Sequence, residues 1–222
     1  MSSQSPQQPP MSSLQTPLPI IATVSRVVSM VVDRLTGDRA DFPLMVAAVT
    51  VEALKLHGIQ AQVMYGPAAW VEVLENQSVI WAGCWGQSFH FWVATQFGEV
   101  VDLNTSVAHR KRAHDRPELK PVMSPPMLWS REVPGFYRYK PEGIAELELT
   151  EKKDIDRYAL ALEEIRAKCS PLAIDLTAPD SELDFPNEPI LCPGRRLLDD
   201  SKESFKHFDR AILVHGIPDA PI

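Results

Sequence analysis

The stretch SFHFWVATQFGEVVDLNTS, residues 88–106, decides the fold, because its turn dictates which side chains share a face. Two runs rich in aromatic and β-branched residues flank Gln96-Phe97-Gly98, a three-residue hairpin loop whose last position suits a glycine in the left-handed conformation. With that loop Thr95 pairs Glu99, and counting back along both strands sets Trp92 opposite Asp102 and His90 opposite Asn104. Side chains alternate along a strand, so all four project from one face. His90 and Asp102 become diagonal neighbours at about 7–8 Å between backbones, within reach of an imidazole–carboxylate hydrogen bond. Such a bond fixes the histidine tautomer and stabilises its protonated form, as a general base requires. A loop of two or four residues would turn one strand over and abolish the pairing.

Upstream, Leu44, Ala47, Ala48, Val51, Ala53 and Leu54 predict a closely buried helix, with Asp41 as its cap, Pro43 in its first turn and His57-Gly58 closing it. IQAQVMYG, AAWVEVLE and SVIWAG follow, with a turn at Asn76-Gln77, and together with the hairpin they predict an antiparallel meander. An earlier amphipathic helix runs through Ile20, Val24, Val27, Val28, Val31, Val32 and Leu35 and stops at Gly37. Residues 109–141 hold six prolines, the run HRKRAHDR and scattered aromatics, a composition that suits a long loop over the sheet, placed to rim a site. A helix is expected over 150–168. Beyond it the chain is proline-spaced, with a short helix at 200–209 and a short strand at AILVH, residues 211–215. The fold class is therefore α+β, helices on an antiparallel sheet with extended proline-rich loops. The expected organisation is a disordered leader over 1–19, a domain over 20–168, and a C-terminal extension over 169–222 packed on it.

The chain has 222 residues and a net charge of −7. That charge repels a phosphate backbone and disfavours nucleic acid, leaving a peptide or protein as the expected partner class. No apolar run approaches the roughly 18–20 residues that a membrane span needs. The three cysteines, Cys84, Cys169 and Cys192, include no close pair, so no disulfide scaffold or thiolate metal site is encoded and a reducing cytoplasm fits. No cofactor and no metal is called for.

The pieces AAVTVEALKLHGIQAQVMYG, residues 47–66, and HFWVATQFGEVVDLN, residues 90–104, resemble the transglutaminase-like branch of the papain-type fold. An alanine-rich helix ending in Gly-Ile, a strand, a histidine followed two residues later by tryptophan, and an aspartate on the next strand come in that family's order. The likeness spans Asp38 to Thr105, under half of the chain. It implies a cysteine at the helix start that attacks an acyl group, with His90 as its base and Asp102 orienting the histidine. Counting back fifteen residues from Gly58, the family's typical interval, reaches Pro43 with Asp41 and Phe42 beside it; none of the three supplies a thiolate. The expectation is a degenerate transglutaminase-like domain that binds a peptide or acyl-bearing ligand or serves as an interaction scaffold.

The alternative is an active cysteine hydrolase or acyltransferase with a relocated nucleophile, Cys84. It lies six residues before His90, about 20 Å along a straight strand, and needs a turn at Gly86-Gln87 to return; the bland reading is a small buried hydrophobe. Asp41 is a helix cap or an acid. Trp92 is core packing or a wall of a ligand cleft, and Asn104 is a ligand contact or a support for the turn after the strand. His109 and His114 have a spacing that suits no metal pair. Arg110, Lys111, Arg112 and Arg116 form a solvated basic loop or meet an acidic partner. Cys169 and Cys192 are structural.

Overall fold

The computed structural model describes residues 15–179, 182–193 and 203–222, and it is an α+β fold. The helix α1 (Leu18–Thr36) ends where Gly37 adopts φ 93° and its N–H donates to the Asp33 carbonyl. A 3-10 turn (Arg39–Asp41) leads into α2 (Pro43–Lys55), whose residues from Met45 to Val51, with Ala53 and Leu54, are buried. The alanines allow α2 to lie close against both α1 and the sheet. Each larger side chain sequestered there, such as Val49 or Leu54, contributes about 1.5–3 kcal/mol. A later helix, α4 (Lys152–Lys168), covers α1 and α2 through Ala161 and Ile165.

Among the described residues, ten strands make two sheets: β1 (Ala61–Gly66), β2 (Ala68–Leu74), β3 (Val79–Cys84), β4 (His90–Thr95), β5 (Val100–Asp102), β6 (Pro121–Met123), β7 (Met127–Ser130), β8 (Tyr137–Tyr139), β9 (Gly143–Ile144) and β10 (Ile190–Leu191). The first sheet has the order β10-β7-β5-β4-β1-β9, antiparallel except for β10 against β7. In the second, β2 pairs β3 on one edge and both β6 and β8 on the other. The expected single meander is thus divided. At Gly66-Pro67 the chain leaves β1 and enters β2 of the other sheet, and the ladder partners bend with it, His90 opposite Gly66 and Cys84 opposite Ala68. Gly66 has φ 156°, and a Cβ there would stand 2.2 Å from the Lys140 carbonyl oxygen, so only glycine permits this corner.

The helices cover one face of the first sheet, where Phe91, Val93 and Val101 join the main core. The opposite face packs on the second sheet through Trp92, Trp70, Ala68, Leu128 and Tyr137.

Three other expectations are corrected. Residues 109–141 are not an irregular loop: they hold α3 (Ala108–Asp115), a 3-10 turn and β6, β7 and β8. AILVH is not a strand but the end of α5 (Glu203–His215), whose Phe208 and Ala211 seal a small core on β2. Asp41 does not cap α2, because it belongs to the preceding 3-10 turn and the α2 N-cap, Phe42, has no side-chain cap bond; its carboxylate instead meets Lys111 Nζ at 3.0 Å. Of the expected leader, residues 1–14 lie outside the described residues. Thr16 is buried, and its N–H and hydroxyl donate to the Glu99 carboxylate at 3.0 and 2.6 Å. No helix among the described residues is long and apolar enough to cross a membrane.

Candidate functional site

The β4–β5 hairpin turns through Gly98 at φ 75°, with Val93 opposite Val101 and Ala94 opposite Val100. This register puts His90 and Asp102 on one face, and His90 Nε2 lies 2.7 Å from Asp102 Oδ2. Both residues are buried. Asp102 also accepts the Asn104 N–H on Oδ1 at 3.0 Å and the Tyr139 hydroxyl on Oδ2 at 2.9 Å. Burial, and then the Asp102 charge, hold the Tyr139 phenol well above its usual pKa, so it stays a donor. With those donors converging on it, the carboxylate acts as an acceptor, and His90 gives it the Nε2 proton. In that tautomer the lone pair sits on Nδ1, which has no hydrogen-bond partner among the described residues.

Beside the imidazole lie Trp70, tilted at 5.0 Å between centroids, and Trp92, stacked at 6.5 Å. Trp92 is 3% exposed and touches Tyr139 on its other side. It is packing that holds the ring, and it does not line the cleft, so its alternative reading as a ligand contact is corrected. Trp70 lines the cleft instead, and its indole N–H donates to the wholly buried Glu72 at 2.9 Å.

His90 opens on a cleft of about 430 Å³ that brings together the starts of α2 and α3, the corner of the sheets, and Asn104. The helix α3 presents one face to it, through Ala108, Lys111, Arg112 and Asp115, with Arg116 just beyond. None of the residues of α3 is buried. It is held by charge: Lys111 meets Asp41 and Asp115 at 3.0 and 3.4 Å, and Arg112 Nε stands 3.0 Å from Glu72 Oε2 in an ion pair too oblique for a formed hydrogen bond. The Ser124 hydroxyl adds an anchor, accepting the His109 N–H at 2.6 Å and lying 3.0 Å from His109 Nδ1. Burial lowers the His109 pKa to about 4, so the ring is neutral. Among the described residues no group of three or more His, Cys, Asp or Glu side chains is arranged to hold a metal ion.

Cys84 reaches the same cleft, because the corner folds β3 back beside β4, as a turn at Gly86-Gln87 requires. The thiol makes no hydrogen bond to His90. Burial raises its pKa above 9.0, and the nearby charges of Arg112 and Lys111 offset this only in part, so at neutral pH it is a thiol. Cys169 is buried in the helical layer, with its pKa pushed up to about 12 by burial, and Cys192 is buried too. At the start of α2, Asp41 and Pro43 line the cleft. Asn104 lines it as well. Its Nδ2 donates to the Ala40 carbonyl at 3.5 Å, and its Oδ1 is buried without a partner.

His90, Asn104 and Cys84 line one cleft with Asp102 bonded to His90; strand register brings His90, Asp102 and Asn104 to one face, whereas Cys84 depends on the turn at Gly86-Gln87. Tyr139, Trp70 and Glu72 escape sequence reasoning, since each arrives from another element, whereas Lys111, Arg112 and Arg116 belong to the basic run expected to rim a site. The one available signal is the alternation in Tyr137-Arg138-Tyr139, which gives both tyrosines a common face.

No family model matches the chain, and no curated protein matches it. Among solved structures, the crystal structure of a genomics target, APC5867, shares 15% identity over 71% of this chain and 82% of that one, with a TM-score of 0.40. So slight a likeness gives no guidance on function.

Proposed function

We propose that the cleft at His90 is a binding site for a peptide or acyl-bearing ligand, held without a covalent bond, on a transglutaminase-like scaffold whose nucleophile position is empty of sulfur. The observation that carries this reading is a buried imidazole, oriented by Asp102, that lines a ligand-sized cleft and makes no hydrogen bond to a thiol among the described residues. A general base without an adjacent nucleophile is an acceptor for a ligand N–H or O–H. The same cleft suits a protein scaffold that grips a partner's extended segment.

The test is covalent capture. A thiol-directed acyl electrophile at pH 7 is expected to label Cys84 slowly, at a rate unchanged by His90→Gln, because burial keeps the thiol protonated. Fast labelling that needs both Cys84 and His90 would contradict the reading. It would support the second one, an active cysteine hydrolase or acyltransferase, which one observation favours: Cys84 and His90 share a cleft. On that account Cys84→Ala abolishes turnover of an activated acyl ester and Cys169→Ala does not.

A further inference from the structure

Most polar side chains lining the cleft are already matched within the protein. Asp41 and Asp115 share Lys111, Arg112 faces Glu72, and the Ser88 hydroxyl donates to the Trp85 carbonyl. Beyond the Arg112–Glu72 ion pair, whose facing Nε and Oε2 form no hydrogen bond, three groups remain open among the described residues. On the floor are His90 Nδ1 and the buried Asn104 Oδ1. Both are acceptors: the first because Nε2 gives its proton to Asp102, the second because its Nδ2 must face the Ala40 carbonyl, which only accepts. At the rim is Arg116, the exposed residue following α3, with no ion pair and no side-chain hydrogen bond.

Resting on the binding reading above, we infer that the ligand is an N-acylated amino acid or the free C-terminal end of a peptide. Its amide N–H donates to His90 Nδ1, a second N–H of a peptide ligand reaches Asn104 Oδ1, and its terminal carboxylate pairs with Arg116. A polar ligand binds selectively where it satisfies groups otherwise left open, and a guanidinium takes a carboxylate through two parallel N–H bonds. Both features must come from one small molecule, and an acylated α-amino acid holds an N–H and a carboxylate one carbon apart. A ligand with an anion alone leaves the two floor acceptors unmet; an ammonium group without a carboxylate meets the floor but is repelled at Arg116. Phe89, Trp70 and Pro43 in the same lining supply apolar contact for the acyl chain or side chain.

The experiment titrates the full chain, by calorimetry and by amide chemical-shift change, with N-acetyl-alanyl-phenylalanine, with the same dipeptide as its C-terminal amide, and with inorganic phosphate. The free acid is expected to bind and to shift resonances at His90. Amidation should weaken it about three- to tenfold, Arg116→Gln should weaken it equally, and the two changes together should cost no more than either alone. His90→Gln should weaken acid and amide alike. Equal binding of acid and amide, with both dependent on His90, would overturn the carboxylate assignment and leave the binding reading intact. Phosphate binding as tightly as the dipeptide would overturn the need for the N–H donor. Failure of both peptides to perturb His90 would overturn the inference and the binding reading together.

Discussion

Asp102 is the residue on which the site turns, since one carboxylate accepts from an imidazole, a phenol and a backbone N–H within a dry pocket. Asp102→Ala strands three donors at once, and breaking such a buried cluster costs about 3–5 kcal/mol. Urea unfolding is expected to show that loss; a loss below about 1 kcal/mol would mean the cluster is open to water. The His90–Asp102 contact is legible in the sequence because the residues are twelve apart on one hairpin, and a three-residue loop leaves a single register. Tyr139 is not legible: it lies 37 residues from Asp102 on a strand of the other sheet, and nothing local announces that pairing.

At the scale of elements, the corner at Gly66 and the helix α3 shape the cleft. A Cβ at residue 66 must displace the Lys140 backbone in a conformation that side chains rarely adopt. Gly66→Ala is therefore expected to lower stability by about 2 kcal/mol or more, and to broaden the His90 resonances as the strands part; an unchanged thermal midpoint would contradict this. The meander reading fails here because the strand patterns of β1 and β2 are sound, yet alternation cannot show that the chain changes sheets between them. The helix α3 is illegible for a different reason. HRKRAHDR has no apolar stripe, and its helix is held by ion pairs and by Ser124, partners that the sequence scatters from residue 41 to residue 124. The AILVH segment reads as a strand because its β-branched run is short; the amphipathic period that starts at Phe205 makes it helical.

The Ser124 anchor makes α3 sensitive to acid. His109 titrates at about 4 in the folded chain against 6.5 for the free side chain, the shift coming first from burial and then from Arg110. A histidine with a lowered folded pKa binds its proton more readily when unfolded. The stability it supports is present above pH 6.5 and is lost as pH falls toward 4. Stability relative to His109→Gln should decline by about 2 kcal/mol across that window, read from denaturant midpoints at each pH; a flat difference would show that the ring is not held neutral.

Across the described residues, two larger cores divide the labour, beside the small one under α5. The helical side, with α2 buried between α1 and the first sheet, supplies the bulk of the apolar burial. The smaller aromatic core between the sheets positions the imidazole. The α+β class is legible because helix and strand periodicities are strong and separate along the chain; the two-sheet arrangement is not, because it depends on pairings between distant segments such as β2 with β6 and β8. The account as a whole rests on a histidine that offers a bare nitrogen to the cleft and shares no proton with a thiol. Side-chain ¹⁵N spectroscopy of His90 near pH 7 tests this most directly. The account predicts the Nε2–H tautomer, with Nδ1 unprotonated and the spectrum unchanged in Cys84→Ala. An Nδ1–H tautomer, or an imidazolium that disappears when Cys84 is replaced, would contradict it.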